Sequence, residues 1–193
     1  MKYDLNWLKN LYNEGGAIDY IFFWGHQTKK NDEIGKSCLS QWWRSDFTNS
    51  KGVVFSTTEK WMMFKKAELF KDQNILNKIL AHDDPKEIKS LGRQIKGFDQ
   101  EIWDQKKYEV VLEGSLLKFT QNDSIKEFLI NTSDSVIVEA SPYDKIWGIG
   151  MKSDEEDVIN PNYWKGENLL GFALMEARDI INRSITDKYS IGR

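Results

Sequence analysis

The residues of this chain best suited to chemistry are a carboxylate and an amine seven positions apart, Glu59 and Lys66, in "TEKWMMFKKAELF" (58–70). On a helix, separations of three, four and seven return to one face, so Glu59, Met62, Met63 and Lys66 line up. Seven residues rise about 10.5 Å, and a lysine leaning back toward the helix N-terminus shortens that gap. An acid and an amine on one face beside Trp61 can act as proton donor or acceptor and nucleophile. The same pair has a structural reading. Glu59 can complete a capping box opened by Ser56, and Lys66 can form a surface ion pair.

A second set lies in "EASPYDKIWGIG" (139–150). Asp144 follows Pro142 and can bond its own backbone in a turn, or face a ligand. Trp147 offers a flat surface, and Gly148 and Gly150 permit close approach. The glycine spacing does not fit a dinucleotide fingerprint. Arg93, after Gly92, can hold a phosphate or carboxylate through two parallel hydrogen bonds, or simply be solvated. His26 and His82 form no metal pattern with Cys38, so no metal is expected. There is no Ser-His-Asp set and no phosphate-binding loop, and "SDEEDV" (153–158) reads as a solvated loop. No cofactor is called for.

Most of the positioning elements read as helices. Leu5, Leu8 and Leu11 have helical spacing within 1–14, and "GG" at 15–16 ends that run. "DYIFFWG" (19–25) reads as a strand, followed by the polar loop "HQTKKNDEIGK", a short apolar patch "SCLSQWW" (37–43) and a short strand "GVVFST" (52–57). Ser56 is the expected N-cap of the helix bearing Glu59 and Lys66. Further helices are expected at 74–81, from Asp84 as N-cap with Pro85 at its first position to Gly97 as C-cap, across "DQEIWDQKKYEVVLEGSLLKF", and in "NDSIKEFLIN". "SVIVEA" (135–140) reads as a strand, and a final helix covers about 168–182. The expectation is a mainly α, compact single helical domain with a few short β-strands.

Composition sets the outer bounds. A chain of 193 residues is long enough to bury one core. Its net charge of −3 gives no broad electrostatic footprint for nucleic acid, and eight tryptophans supply surfaces for flat ligands. One cysteine excludes an internal disulfide framework and fits a reducing compartment. With neither a leader-like segment nor a membrane-length apolar run in view, a cytoplasmic protein with no membrane partner is expected.

Seven blocks, in order, carry a resemblance. They are "FFWGH" (22–26), "CLSQWW" (38–43), "TEKWMMFKKAELF" (58–70), "LGRQIKGFDQEIWD" (91–104), "LKFTQN" (117–122), "VEASPYDKIWGIGM" (138–151) and "WKGENLLGFALMEARD" (164–179). Together they resemble the NADAR, or YbiA-like, family over about residues 20–182. The resemblance implies a YbiA-like domain at 19–182, with an extension at 1–18 and a tail at 183–193. It implies hydrolysis of the N-glycosidic bond between a ribose phosphate or ADP-ribose and a nucleobase-like heterocycle. The substrate it implies is a phosphoribosyl-aminopyrimidine of riboflavin synthesis, or ADP-ribosylated guanine, which would bring in ADP-ribosylated nucleic acid as a partner. A non-catalytic ADP-ribose- or NAD-binding module is the alternative.

The resemblance also assigns roles. Glu59, Lys66 and Asp144 are the implied catalytic residues. Trp42, Arg93, Trp103, Trp147, Gly148, Gly150 and Asn168 are the implied substrate-binding ones, and Arg178 falls on the last block. Ile149 stands where members of the riboflavin-intermediate type carry aspartate. The chemistry suits these types. Positive charge develops on the sugar as the base departs, so a carboxylate, a proton donor and a stacking surface are all needed. A desolvated lysine opens a second route, attack at C1 to give a Schiff base.

Overall fold

The computed structural model describes residues 1–26 and 34–190. The polar loop expected after the first strand falls largely at 27–33, outside the described residues. The elements run α1 (Leu5–Asn13), β1 (Tyr20–Phe23), β2 (Phe47–Thr48), β3 (Val54–Phe55), α2 (Thr58–Leu69), α3 (Gln73–Ala81), α4 (Pro85–Gly92), α5 (Gln100–Thr120), α6 (Asp123–Ile130), β4 (Val136–Glu139) and α7 (Leu169–Ser190). The fold is mainly α with short strands, as expected. None of the described helices is long and apolar enough to cross a membrane.

Aspartates and a threonine start most of these helices. Asp4, Asp72, Asp84 and Asp99 each accept a backbone amide of the first turn, and Asp84 accepts two. These amides have no partner inside the helix, so a side-chain oxygen there is worth about 1 kcal/mol. At α2 the cap is Thr57, whose hydroxyl accepts from Lys60 N at 3.1 Å, and not Ser56. Ser56 Oγ donates instead to Asp83 Oδ1 at 2.8 Å. The capping box expected with Glu59 therefore does not form, because Glu59 sits one position too early for it. The helix begun at Asp84 ends at Gly92, with Arg93 as C-cap, and does not continue to Gly97. Gly97 has a left-handed backbone, φ +68°, in the connection that follows.

The chain packs as two compact units, 41–122 and the combined segments 1–40 and 123–193. In the contiguous unit, α2 packs on α3, α4, α5 and β3. Its core is a cluster of rings. Phe55 meets Trp61 edge-on at 5.0 Å and Phe64 at 5.1 Å, and Phe47 stacks on Phe55 at 5.8 Å. Each such buried ring contributes roughly 1.5–3 kcal/mol of apolar burial. Trp61 Nε1 donates to Val110 O at 2.9 Å, which satisfies the one polar atom of that indole and pins α2 to α5.

In the discontinuous unit, β1 pairs in parallel with β4, from Tyr20 opposite Val136 to Phe23 opposite Glu139. Helix α7 covers β4, and α6 packs on α7. Gly171 makes that approach possible. A Cβ there would lie 2.1 Å from Ile137 O and 2.5 Å from Asn168 Nδ2, positions no side chain can share. The first residues, expected as an extension, pack within this unit. Leu8 is fully buried, Lys2 pairs with Asp179, and Tyr3 Oη donates to Asp179 Oδ2 at 2.7 Å. Helix α7 likewise continues to Ser190, through most of the segment expected as a tail.

Candidate active site

Within the contiguous unit, α2 is buried nearly all round, from Thr58 to Phe64 and again at Ala67. Glu59 is only 2% exposed and lies in the first turn. The unpaired amides of that turn favour an anion there. Its backbone amide donates to Gln41 O at 3.0 Å, and Thr58 Oγ1 donates to the same carbonyl at 3.2 Å. The segment before α2 thus fixes the helix start and, with it, the acid. Next along, Lys60 is buried too, but its ammonium is held by Asp83 at 3.0 Å.

Lys66 is half-buried, two turns along from Glu59. Its Nζ donates to Gly92 O at 3.2 Å and lies 3.9 Å from the Phe98 ring centre and 5.7 Å from that of Trp103. Among the described residues it makes no ion pair. Burial lowers the amine's pKa below its ordinary value, and the charge of Glu59 opposes that shift. The first effect dominates, so the amine gives up its proton more readily than a surface lysine does. An aromatic-walled amine that deprotonates readily is what carbonyl-type nucleophilic chemistry at a sugar C1 requires. Packing sets the carbonyl it touches, since a Cβ on Gly92 would fall 2.0 Å from Met63 Sδ of α2.

Three expected substrate-binding residues lie in the same unit. Trp103, in the first turn of α5, is buried and forms one wall beside Lys66. Trp42 is half-buried, with Lys89 Nζ 5.9 Å from its ring centre. Arg93 caps α4 next to Gly92, and its guanidinium is exposed with no hydrogen bond or ion pair among the described residues. A groove of about 250 Å³ between α2 and α5 contains none of them. It is lined by Lys65, Glu68, Lys106 and Glu109, which neutralise one another in pairs at 2.8 and 3.2 Å.

The remaining residues belong to the discontinuous unit. Asp144 Oδ1 accepts from Ile146 N at 3.0 Å and Trp147 N at 2.8 Å, the self-bonded turn that its position after a proline allows. That turn presents carbonyls to the start of α7. Ile146, Trp147 and Gly148 accept from Leu169, Leu170 and Asn168 at 3.1–3.2 Å, so the loop supplies the acceptors that the helix amides lack. Trp147 is 9% exposed, and Gly150 takes φ +65°. Asn168 is expected among the substrate-binding residues, yet it is fully buried with φ +55°. Its Oδ1 accepts from Glu139 N and its Nδ2 donates to Ile137 O, both at 3.0 Å. The amide pairs with β4 as a further strand residue would, and so ties the start of α7 to that strand. Arg178, also buried, donates through Nη1 to Thr132 Oγ1 at 2.7 Å and Ser135 O at 2.9 Å, joining α7 to the turn before β4.

The structure adds Gln41 to this set. Its signal in the sequence is only its place in "CLSQWW", beside the tryptophan that drew attention. Among the described residues, no group of three or more His, Cys, Asp and Glu side chains could hold a metal ion.

Comparison with known proteins gives these residues a context. The NADAR domain family model matches residues 22–182. The chain is 40% identical over 164 residues to "N-glycosidase R617" of Acanthamoeba polyphaga mimivirus, covering 83% of this chain and 95% of that one. It is 31% identical over 134 residues to "N-glycosidase Npun_R5314" of Nostoc punctiforme, covering 69% of this chain and 79% of the other. The NMR structure of the Escherichia coli protein YbiA superposes with a TM-score of 0.69 at 21% identity, over 87% of this chain and 88% of that one, which shows the shared fold.

Proposed function

This chain belongs to the NADAR domain family, and from that premise we propose that it is an N-glycosidase acting on a ribose phosphate or ADP-ribose joined to a nucleobase-like heterocycle. The observation that carries the reading is the pairing on α2. A carboxylate excluded from water and a half-buried amine of lowered pKa lie two turns apart on one helix. Lys66, once neutral, attacks C1 of the sugar, and the C1–N bond breaks with its electron pair leaving on the base. Glu59 exchanges the protons that this requires, taking one from the attacking amine and giving one to the departing heterocycle. The ribosylamine then opens to an iminium, which water hydrolyses to free sugar and free lysine.

The other residues extend the proposal. Trp103 and Trp42 supply flat faces for the base, and Arg93 the exposed cation for phosphate. Ile149 is fully buried and apolar, so it offers no carboxylate for an aminopyrimidine. This favours the ADP-ribosyl substrate over the riboflavin intermediate.

The test is to incubate the protein with ADP-ribosylated guanosine and with a phosphoribosyl-aminopyrimidine and follow free base by mass spectrometry. Release from the first, at a higher kcat/KM than from the second, is expected. Tight binding of both without release would leave a binding module instead.

A further inference from the structure

Gln41 carries a contradiction that the fold alone does not resolve. It is 6% exposed, and its side-chain Oε1 is buried with no hydrogen-bond partner among the described residues. Its main-chain carbonyl is fully used, accepting from both Glu59 N and Thr58 Oγ1. A buried amide oxygen without a donor is destabilising, and a methionine or leucine of similar volume would serve packing better. A group left in this condition in a folded chain calls for an explanation, and a binding role is one. The position is informative as well. Gln41 lies against the turn that carries the buried acid, and its neighbour Trp42 is the half-buried indole beside it in sequence.

We propose that Gln41 is a base-recognition residue whose Oε1 accepts a hydrogen bond from an N–H of the substrate's heterocycle. This rests on the N-glycosidase reading above and deepens it. An amide oxygen accepts and cannot donate, so it selects heterocycles that carry an amide-like or amino N–H on the edge presented to it. Guanine and aminopyrimidinones both carry one. A site that holds an acceptor for such a donor discriminates sharply against a base that lacks it, because the acceptor then stays unpaired. Gln41 thereby acts on the leaving half of the substrate, while Glu59 and Lys66 act at the bond that breaks.

Gln41→Met keeps the volume and removes the amide. The probes are ADP-ribosylated guanosine and a phosphoribosyl-aminopyrimidine, with ADP-ribose and ribose 5-phosphate as their sugar halves. The variant should melt at the wild-type temperature or above, because it loses a buried oxygen that nothing among the described residues satisfies. Its kcat/KM for base release should fall about 10- to 100-fold, the value of one hydrogen bond with its partner left unpaired. Its Kd for the sugar half should stay within about twofold of wild type, which a loss through misfolding would not allow. Unchanged kcat/KM, an equal loss of affinity for the sugar half, or a clear fall in Tm would each overturn the assignment. Should the wild-type protein release no base at all, the N-glycosidase reading fails separately. Affinity for the intact conjugates then decides Gln41, weaker binding by Gln41→Met supporting it and equal binding overturning it.

Discussion

Glu59→Gln should lower the rate of base release about 1,000-fold while the protein stays folded, the middle of the range for removing a positioned proton-transfer group. The substitution keeps the shape of a side chain that is 2% exposed, so it opens no cavity. The backbone amide of Glu59 still donates to Gln41 O, and Thr57 still caps the helix. What disappears is the capacity to take up and give back a proton. The cap itself is Thr57 and not the glutamate, and glutamine keeps the side chain's shape, so a folded variant of low activity points to the lost proton transfer. Turnover by mass spectrometry alongside thermal melting separates the two. More than a tenth of the wild-type rate in a folded variant would remove Glu59 from the proton transfers.

Lys66→Met should abolish release to at least the same extent, since loss of a nucleophile removes the step itself. Borohydride added during turnover should leave the sugar attached to Lys66 in the wild-type protein and nowhere in the variant. Lys66→Arg discriminates further. It keeps the positive charge beside Phe98 and Trp103 but cannot lose its proton, so it should be as inactive as methionine. An active arginine variant, or no adduct under productive turnover, would reduce Lys66 to an electrostatic group. The pH profile gives an independent view. Burial lowers the amine's pKa below 10.5 against the pull of Glu59. The neutral, attacking form therefore accumulates as pH rises, and kcat/KM should climb through a midpoint lower than that of an ordinary lysine.

Much of this architecture is written plainly in the chain. Asp84 before Pro85 announces the start of α4, and the β-formers around 20–23 and 136–138 announce two strands, though not that they pair in parallel. The start of α2 is not so plain, because Ser56 and Thr57 are both competent caps. The choice is made at a distance, by Asp83, which takes the Ser56 hydroxyl. The end of α4 is hidden in the same way. Ile95 remains buried beyond it and continues the apolar pattern, while the amides of Arg93 and Gln94 already turn back to Ser90 and Leu91. Helix α2 has no polar face to read, as Glu59 and Lys60 are as buried as Trp61. Spacing alone therefore aligned Glu59 with Lys66 without saying that water is excluded from the acid. Gln41 was out of reach for a simpler reason. A glutamine is unremarked in a sequence, and only its burial without a partner gives it meaning.

The way the units are cut from the chain has a consequence for biogenesis. Residues 41–122 are continuous, whereas the other unit needs β1 at 20–23 to meet β4 at 136–139. During translation the ring cluster around Phe55 and Trp61 can close as soon as α5 has left the ribosome. The opening residues must wait for a partner strand made more than a hundred residues later. Proteolysis of stalled nascent chains should find 41–122 protected first, and early protection of β1 would contradict that order.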